Sequence, residues 1–162
     1  MTRLALLLAG LLLLTPPARA DVNAFGTDSL AQIEARRAGG DFVLVLWSVD
    51  CPPCLKELAL LGRLTDARAR QRLVLVATDE PERHAEAEAL RKRFGLDDLE
   101  HWAFDATEPE RLRQHIDPAW FGELPRSYFY AAGQPRQARS GLLDAATLGR
   151  WLGTAIPGAK HD

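Results

Sequence analysis

Two cysteines are the only thiols in this 162-residue chain, and they stand three positions apart, as Asp50-Cys51-Pro52-Pro53-Cys54-Leu55. Thiols this close have few uses. A structural disulfide across two intervening residues closes so small a ring that it removes little entropy from the unfolded chain. A closed zinc site takes four nitrogen or sulfur ligands, and the histidines, His84, His101, His115 and His161, form no paired motif. A soft ion such as copper could sit between the two thiolates, given a third ligand nearby; no histidine stands in the 122–129 stretch. The remaining use is redox: one thiolate attacks a disulfide and the other displaces it.

Redox use asks for an exposed, activated first cysteine, and the surrounding pattern supplies the means. Phe42-Val43-Leu44-Val45-Leu46-Trp47 is a continuous apolar, β-rich run, as expected of a central strand covered on both faces. After the pair, Leu55, Leu58, Ala59, Leu61 and Gly62 recur at helical steps, with Lys56, Glu57 and Arg63 between them. Pro52 and Pro53 lack N–H groups and suit a first helical turn. Both cysteines are thus expected on the N-terminal turn of a helix. There the free amides and the helix dipole favour a thiolate and lower the pKa of Cys51 from about 8.5.

At these residues the chain resembles the thioredoxin superfamily, and most closely its secreted branch related to TlpA and ResA. Trp47-x-x-x-Cys51-Pro52-Pro53-Cys54-x-x-Glu57 is similar to that branch's Trp-x-x-x-Cys-Pro-Pro-Cys-x-x-Glu signature, and Gly122-Glu123-Leu124-Pro125-Arg126-Ser127-Tyr128-Phe129 to its Gly-x-x-Pro-x-x-x-Phe segment. The intervening elements fit: a strand over 73–77 running to Asp79, a helix over 80–94, a strand over 101–104 and a helix opened by the capping box Thr107-x-x-Glu110. Strands over 127–131 and 136–140 and a helix over 144–154 complete it. The resemblance implies a three-layer α/β/α sandwich with a central mixed sheet and an αβ insertion before the proline strand. It further implies Cys51 as nucleophile, Cys54 as resolving thiol and Pro125 after a cis peptide bond. Leu124 would offer its backbone to an extended substrate, and Trp47 would shield the dithiol.

Several positions depart from the family pattern. Asp50 precedes Cys51 where an aromatic is usual, and a carboxylate there opposes a thiolate unless it turns into solvent. Val45 stands where thioredoxin has a buried acid, leaving Glu57 and Glu123 as candidate acid/base groups, or else as solvated surface acids. Ala59 replaces a helix proline, removing an expected kink. A single helical stretch over 28–38 replaces an N-terminal β-hairpin. Arg126 is read as exposed, or as an attractor of thiolate or acidic substrate. Trp102, Trp120 and Trp151 read as core or interface residues, and the basic runs 68–72 and 91–93 as solvated faces. Ser48 precedes Cys51 as in a peroxidase motif, but Leu44 stands where that motif has proline.

Outside the motif, residues 1–20 read as a signal peptide: Arg3, an apolar run from Leu4 to Leu14, and Ala18-Arg19-Ala20 at the cleavage site. Eleven residues of helix span roughly 16 Å, well short of a ~30 Å hydrocarbon core. Residues 21–162 then form one domain in a periplasmic or secreted, oxidising setting. The full chain carries 20 basic and 22 acidic residues; losing Arg3 and Arg19 makes it more acidic, which argues against nucleic acid as partner. With 47% hydrophobic and 26% charged residues, it can build a core without staples. The expected partners are protein disulfides or dithiols and a membrane thiol reductase as electron donor. No cofactor or metal is expected, since the dithiol is itself the redox centre.

Overall fold

The computed structural model describes residues 22–105 and 109–157. The expected signal peptide, residues 1–20, and Thr107 of the expected capping box lie outside them. In chain order the elements are β1 (Asn23–Phe25), α1 (Ser29–Arg36), β2 (Phe42–Trp47), α2 (Pro52–Leu61), α3 (Ala67–Gln71) and β3 (Leu73–Ala77). A 3-10 turn (Pro81–Arg83) then leads into α4 (His84–Arg93), followed by β4 (Glu100–Phe104), α5 (Pro109–Ile116), β5 (Arg126–Tyr130), β6 (Gln137–Ser140) and α6 (Ala145–Leu152).

The six strands form one mixed sheet in the order β1-β4-β3-β2-β5-β6. β2 and β3 are buried at every residue, which is why their sequences are unbroken apolar runs. Alternate residues of β2 feed two cores. Val43, Val45 and Trp47 pack with Leu58 and Leu61 of α2, Ala87 of α4 and Leu148 of α6. Phe42, Leu44 and Leu46 pack with Ile33 of α1, Leu112 and Ile116 of α5, and Trp120. Helices therefore cover both faces in the expected three-layer sandwich, with α4 and β4 as the αβ insertion before the strand that follows Pro125.

Strand direction matters most for the site. β2 pairs parallel with β3 but antiparallel with β5, Leu46 opposite Arg126. The C-terminal end of β2, which leads to Cys51, therefore lies at the same sheet end as the start of β5. β6 is antiparallel to β5, Arg126 opposite Ser140, so its exit at Gly141 joins them.

Some expectations need correction. β1 is a strand that sequence pattern missed, because three residues are too few to show alternation; it pairs parallel with β4. The helix expected over 80–94 starts as a 3-10 turn at Pro81. The basic runs are not simply solvated. Arg91 is buried, its guanidinium donating to both Glu88 oxygens and, at 2.6 Å, to the Leu96 carbonyl. Arg70 pairs with Asp98, and Arg72 ties Asp41 to the Trp151 and Leu152 carbonyls. Trp102 and Trp120 are core residues as expected, and Trp151 stacks on Phe129.

Gly62, at the end of α2, lies against the end of α4. A Cβ built there would overlap the Phe94 carbonyl oxygen, a backbone atom that cannot swing away. Gly62→Ala should therefore destabilise the protein by about 1–3 kcal/mol through overpacking. Urea unfolding would show a lowered midpoint at unchanged slope, and an unchanged midpoint would contradict the close packing of α2 on α4.

Candidate active site

Residues 48–50 carry the chain from β2 into α2, and Asp79 just beyond β3 holds them. Its carboxylate accepts the Ser48 hydroxyl at 2.6 Å and the Val49 N–H at 3.2 Å. Ser48 Oγ in turn accepts the Asp50 N–H at 3.3 Å, and the Ser48 carbonyl accepts the Cys51 N–H at 3.3 Å. The acid at the end of the 73–79 run thus has a positioning duty that no local motif announces. Parallel pairing of Trp47 with Ala77 brings it beside Ser48.

Cys51 is the N-cap of α2, in extended conformation, and Pro52 and Pro53 form the first turn without N–H groups to satisfy. The Cys54 N–H donates to Cys51 Sγ at 3.2 Å. The two cysteines are joined in a disulfide. They are not equivalent: Cys51 is partly exposed, whereas Cys54 is wholly buried. An incoming sulfur can reach only the first. When the disulfide opens, the Cys54 amide and the helix N-terminus favour a thiolate at Cys51.

Glu57 comes three residues after Cys54, on the same buried face of α2 as Cys54, Leu58 and Leu61. Its carboxylate accepts the Leu143 N–H at 3.1 Å and the Ser127 hydroxyl at 3.3 Å. Ser127 is the register partner of Val45. Glu57 thus reaches the strand partner of Val45 from the helix and is a buried acid, not a surface one. Burial pushes its carboxyl up to about 7, against the two hydrogen bonds that favour its charge. Glu123 differs: it is exposed, bound to Ser140 and Arg126, and below the ordinary carboxylate range despite some desolvation. It is not a buried proton carrier.

At the start of β5 the Leu124–Pro125 peptide is cis, and the Pro125 carbonyl accepts the Gly141 N–H at 2.8 Å. Leu124 is half-buried and packs against both cores. Arg126 is neither exposed nor free: its guanidinium binds Asp117, Glu123 and Ser140 and lies over Tyr128. Asp50 points into solvent, and Arg83 from the 3-10 turn grips both its oxygens at 2.9 and 3.2 Å. That guanidinium holds the Asp50 carboxyl below its ordinary value.

Trp47 is fully buried in the same core as Cys54, its ring 6.2 Å from that of His101. Among the described residues, Trp47 Nε1 and both His101 ring nitrogens have no hydrogen-bond partner. Burial, aided by Arg91, pushes the His101 imidazole down to about 4, so it is neutral. Asp79, Ser127 and Arg83 gave no local sign of these roles, because the partners Ser48, Glu57 and Asp50 lie 31, 70 and 33 positions away in sequence.

Glu57 and His101 give opposite pH dependences. The stability contributed at Glu57 is present below its unfolded value, 4.5, and is lost as pH rises to about 7. That at His101 is present above 6.5 and is lost as pH falls to about 4. Between pH 4.5 and 6.5 the two oppose each other. Urea unfolding of the oxidised protein should give a flatter profile for wild type than for either variant. Glu57→Gln gains stability with pH, and His101→Gln loses it, each by on the order of 3 kcal/mol at most. Parallel profiles for all three proteins would refute the assignment.

The Asp50–Arg83 pair carries a second expectation. Arg83→Ala leaves a carboxylate uncompensated one residue before Cys51 and should raise the thiol pKa of the reduced protein. Asp50→Asn leaves a cation and should lower it. Ultraviolet thiolate absorbance against pH reads both, and the shifts should shrink in high salt. Shifts of the same sign would mean that the pair does not act on the sulfur.

No family model and no curated protein matches the chain. Solved structures do. A secreted Mycobacterium tuberculosis disulfide oxidoreductase homologous to E. coli DsbE is 19% identical over 74% of this chain and 84% of that one, with a TM-score of 0.58. StoA from Bacillus subtilis is 22% identical, covering 70% and 83%, with a TM-score of 0.52. A thioredoxin family thiol:disulfide interchange protein from Chlorobium tepidum TLS is 20% identical, covering 76% and 84%, with a TM-score of 0.57. At these identities the likeness is one of architecture: the chain has the thioredoxin fold.

Proposed function

We propose that this chain is a periplasmic or secreted thiol-disulfide oxidoreductase, exported by residues 1–20 and active through the domain of residues 21–162. The observation that carries the reading is the asymmetry of the pair. Cys51 caps α2 and is partly exposed, while Cys54 is buried on the helix face that bears Glu57. Such a pair suits sequential exchange. Cys51 thiolate attacks one sulfur of a substrate disulfide, forming a mixed disulfide and releasing the other sulfur as thiolate. Cys54, giving its proton to Glu57, then attacks Cys51 Sγ and expels the substrate's remaining thiolate. Two electrons pass from the protein dithiol to the substrate, and the Cys51–Cys54 disulfide is left. A carboxyl near 7 suits that proton transfer at neutral pH. Leu124 would hold the substrate backbone beside Pro125, and Trp47 would keep the inner sulfur dry.

The fold shared with a secreted disulfide oxidoreductase and a thiol:disulfide interchange protein supports this reading. In it, a membrane thiol reductase restores the dithiol, and the substrates are exported protein disulfides, those of cytochrome c apoproteins among them. A copper-holding role would need a third ligand, and among the described residues no group of three or more His, Cys, Asp or Glu is placed to hold a metal.

The reduced protein should catalyse insulin reduction by dithiothreitol, Cys51→Ser should abolish it, and Cys54→Ser should accumulate mixed disulfides visible on non-reducing gels. Absence of both turnover in wild type and trapped adducts in Cys54→Ser would overturn the proposal.

A further inference from the structure

Arg126 follows Pro125 directly and binds side chains from three separate segments, more bonding than the exchange chemistry itself asks of it. One terminal guanidinium nitrogen donates to Asp117 at 2.9 Å, and the other to Glu123 at 3.1 Å and to the Ser140 hydroxyl at 2.6 Å. Ser140 is its register partner on β6 and donates in turn to the same Glu123 carboxylate at 2.6 Å. The guanidinium lies over the Tyr128 ring, whose hydroxyl donates to Asp117 at 3.0 Å.

The two carboxylates joined in this way close both halves of the segment between α5 and β5. Asp117 takes the Ala119 N–H on its carboxylate at 3.0 Å and the Trp120 N–H on its carbonyl at 2.9 Å. Glu123 takes the Phe121 N–H on its carboxylate at 3.2 Å and the Trp120 indole N–H on its carbonyl at 2.8 Å. Arg126 therefore ties the 117–120 turn, the 120–123 turn and β6 to one another. Leu124 and Pro125 lie between two members of this clamp, Glu123 and Arg126.

Directional bonds distinguish such a clamp from apolar packing. Charge-assisted hydrogen bonds from one planar fork to several acceptors fix an angle as well as a distance. The arrangement is also not the one that satisfies Arg126 best: its Nε is buried with no hydrogen-bond partner among the described residues, a cost to stability.

We infer that Arg126 is a positioning residue for substrate exchange: through Asp117, Glu123 and Ser140 it sets the direction in which the Leu124 backbone is offered to a polypeptide disulfide. The inference rests on the oxidoreductase reading and adds the group that aims its substrate-holding segment. In this role Arg126 acts through Leu124 alone, so a small disulfide without a peptide backbone bypasses the clamp.

The test follows single turnover of the purified, pre-reduced protein with two disulfides. One is Ellman's reagent; the other is a Gly- and Ser-rich peptide bearing one cysteine as its mixed disulfide with thionitrobenzoate. Arg126→Gln and Asp117→Ala should each slow the peptide reaction about tenfold relative to Ellman's reagent, and Ser140→Ala, a neutral change on an exposed strand, about threefold. The first two substitutions alter charge in opposite senses, so a field effect on the Cys51 thiolate would drive them apart, and opposite changes overturn the inference. Arg126→Lys keeps the charge but not the fork and should stay nearer Arg126→Gln than wild type; full recovery in that variant overturns the inference too. So does an unchanged ratio of the two rates, whether both reactions hold or both slow, and Ser140→Ala decides this if the other variants fail to fold. Each of these outcomes leaves the oxidoreductase reading intact. Failure of the wild-type protein to reduce even Ellman's reagent overturns both.

Discussion

The antiparallel pairing of β2 with β5 is the constraint on which the site depends. Every other neighbour of the central strands, β3, β4 and β1, runs parallel to β2. Parallel strands place their C-terminal ends together, where the crossing loops leave the sheet. The antiparallel pairing places the start of β5 at that end too, the same sheet end as the loop from β2 to Cys51. A slip of one residue in the Leu46–Arg126 register would move Ser127 and Phe129 to the wrong face of the sheet and separate Ser127 from Glu57. β2 resists such a slip because it is buried on both faces, with alternate residues committed to different cores.

Glu57 turns that topology into a joined site. One carboxylate takes hydrogen bonds from β5, through Ser127, and from the loop after β6, through Leu143. Its ionised form is satisfied by both donors yet penalised by burial, and the penalty prevails. The residue is thus held near its midpoint at neutral pH by two opposing effects. His101, on the same face of the sheet, is the contrasting case of burial without such donors or acceptors. With no hydrogen bond to either nitrogen among the described residues, desolvation keeps the ring neutral.

Much of this was legible in the sequence, and the boundary between the legible and the rest is physical. Local signals found the dithiol, the central strand, the α2 start at Pro52 and the final helix, whose N-cap Asp144 accepts the Thr147 N–H at 2.6 Å. Resemblance added the cis bond before Pro125. What stayed hidden were polar side chains whose burial depends on distant partners. Glu57 meets Leu143 across 86 positions, and Asp79 meets Ser48 across 31. Arg91 sits in a basic run that looks solvated from its neighbours, yet Glu88 and the Leu96 carbonyl fully engage it inside. Charge type alone does not reveal which member of such a run turns inward. The misreading of Arg126 has the same origin, since Asp117 and Ser140 reach it from other elements.

The departures from the family pattern become coherent once these partners are placed. An acid before Cys51 would oppose its thiolate, but Arg83 reaches back from the turn after β3 and neutralises Asp50 in solvent. Asp79, two residues past the same strand, fixes the 48–50 backbone with a carboxylate that is almost wholly buried and bonded to both Ser48 and Val49. The β3 exit therefore performs two separate tasks, one geometric and one electrostatic. They differ in robustness: the buried Asp79 bonds are shielded from salt, while the exposed Asp50–Arg83 pair is screened by it. The geometry of the cysteine loop is thus insulated from the medium, and the charge felt by Cys51 is not.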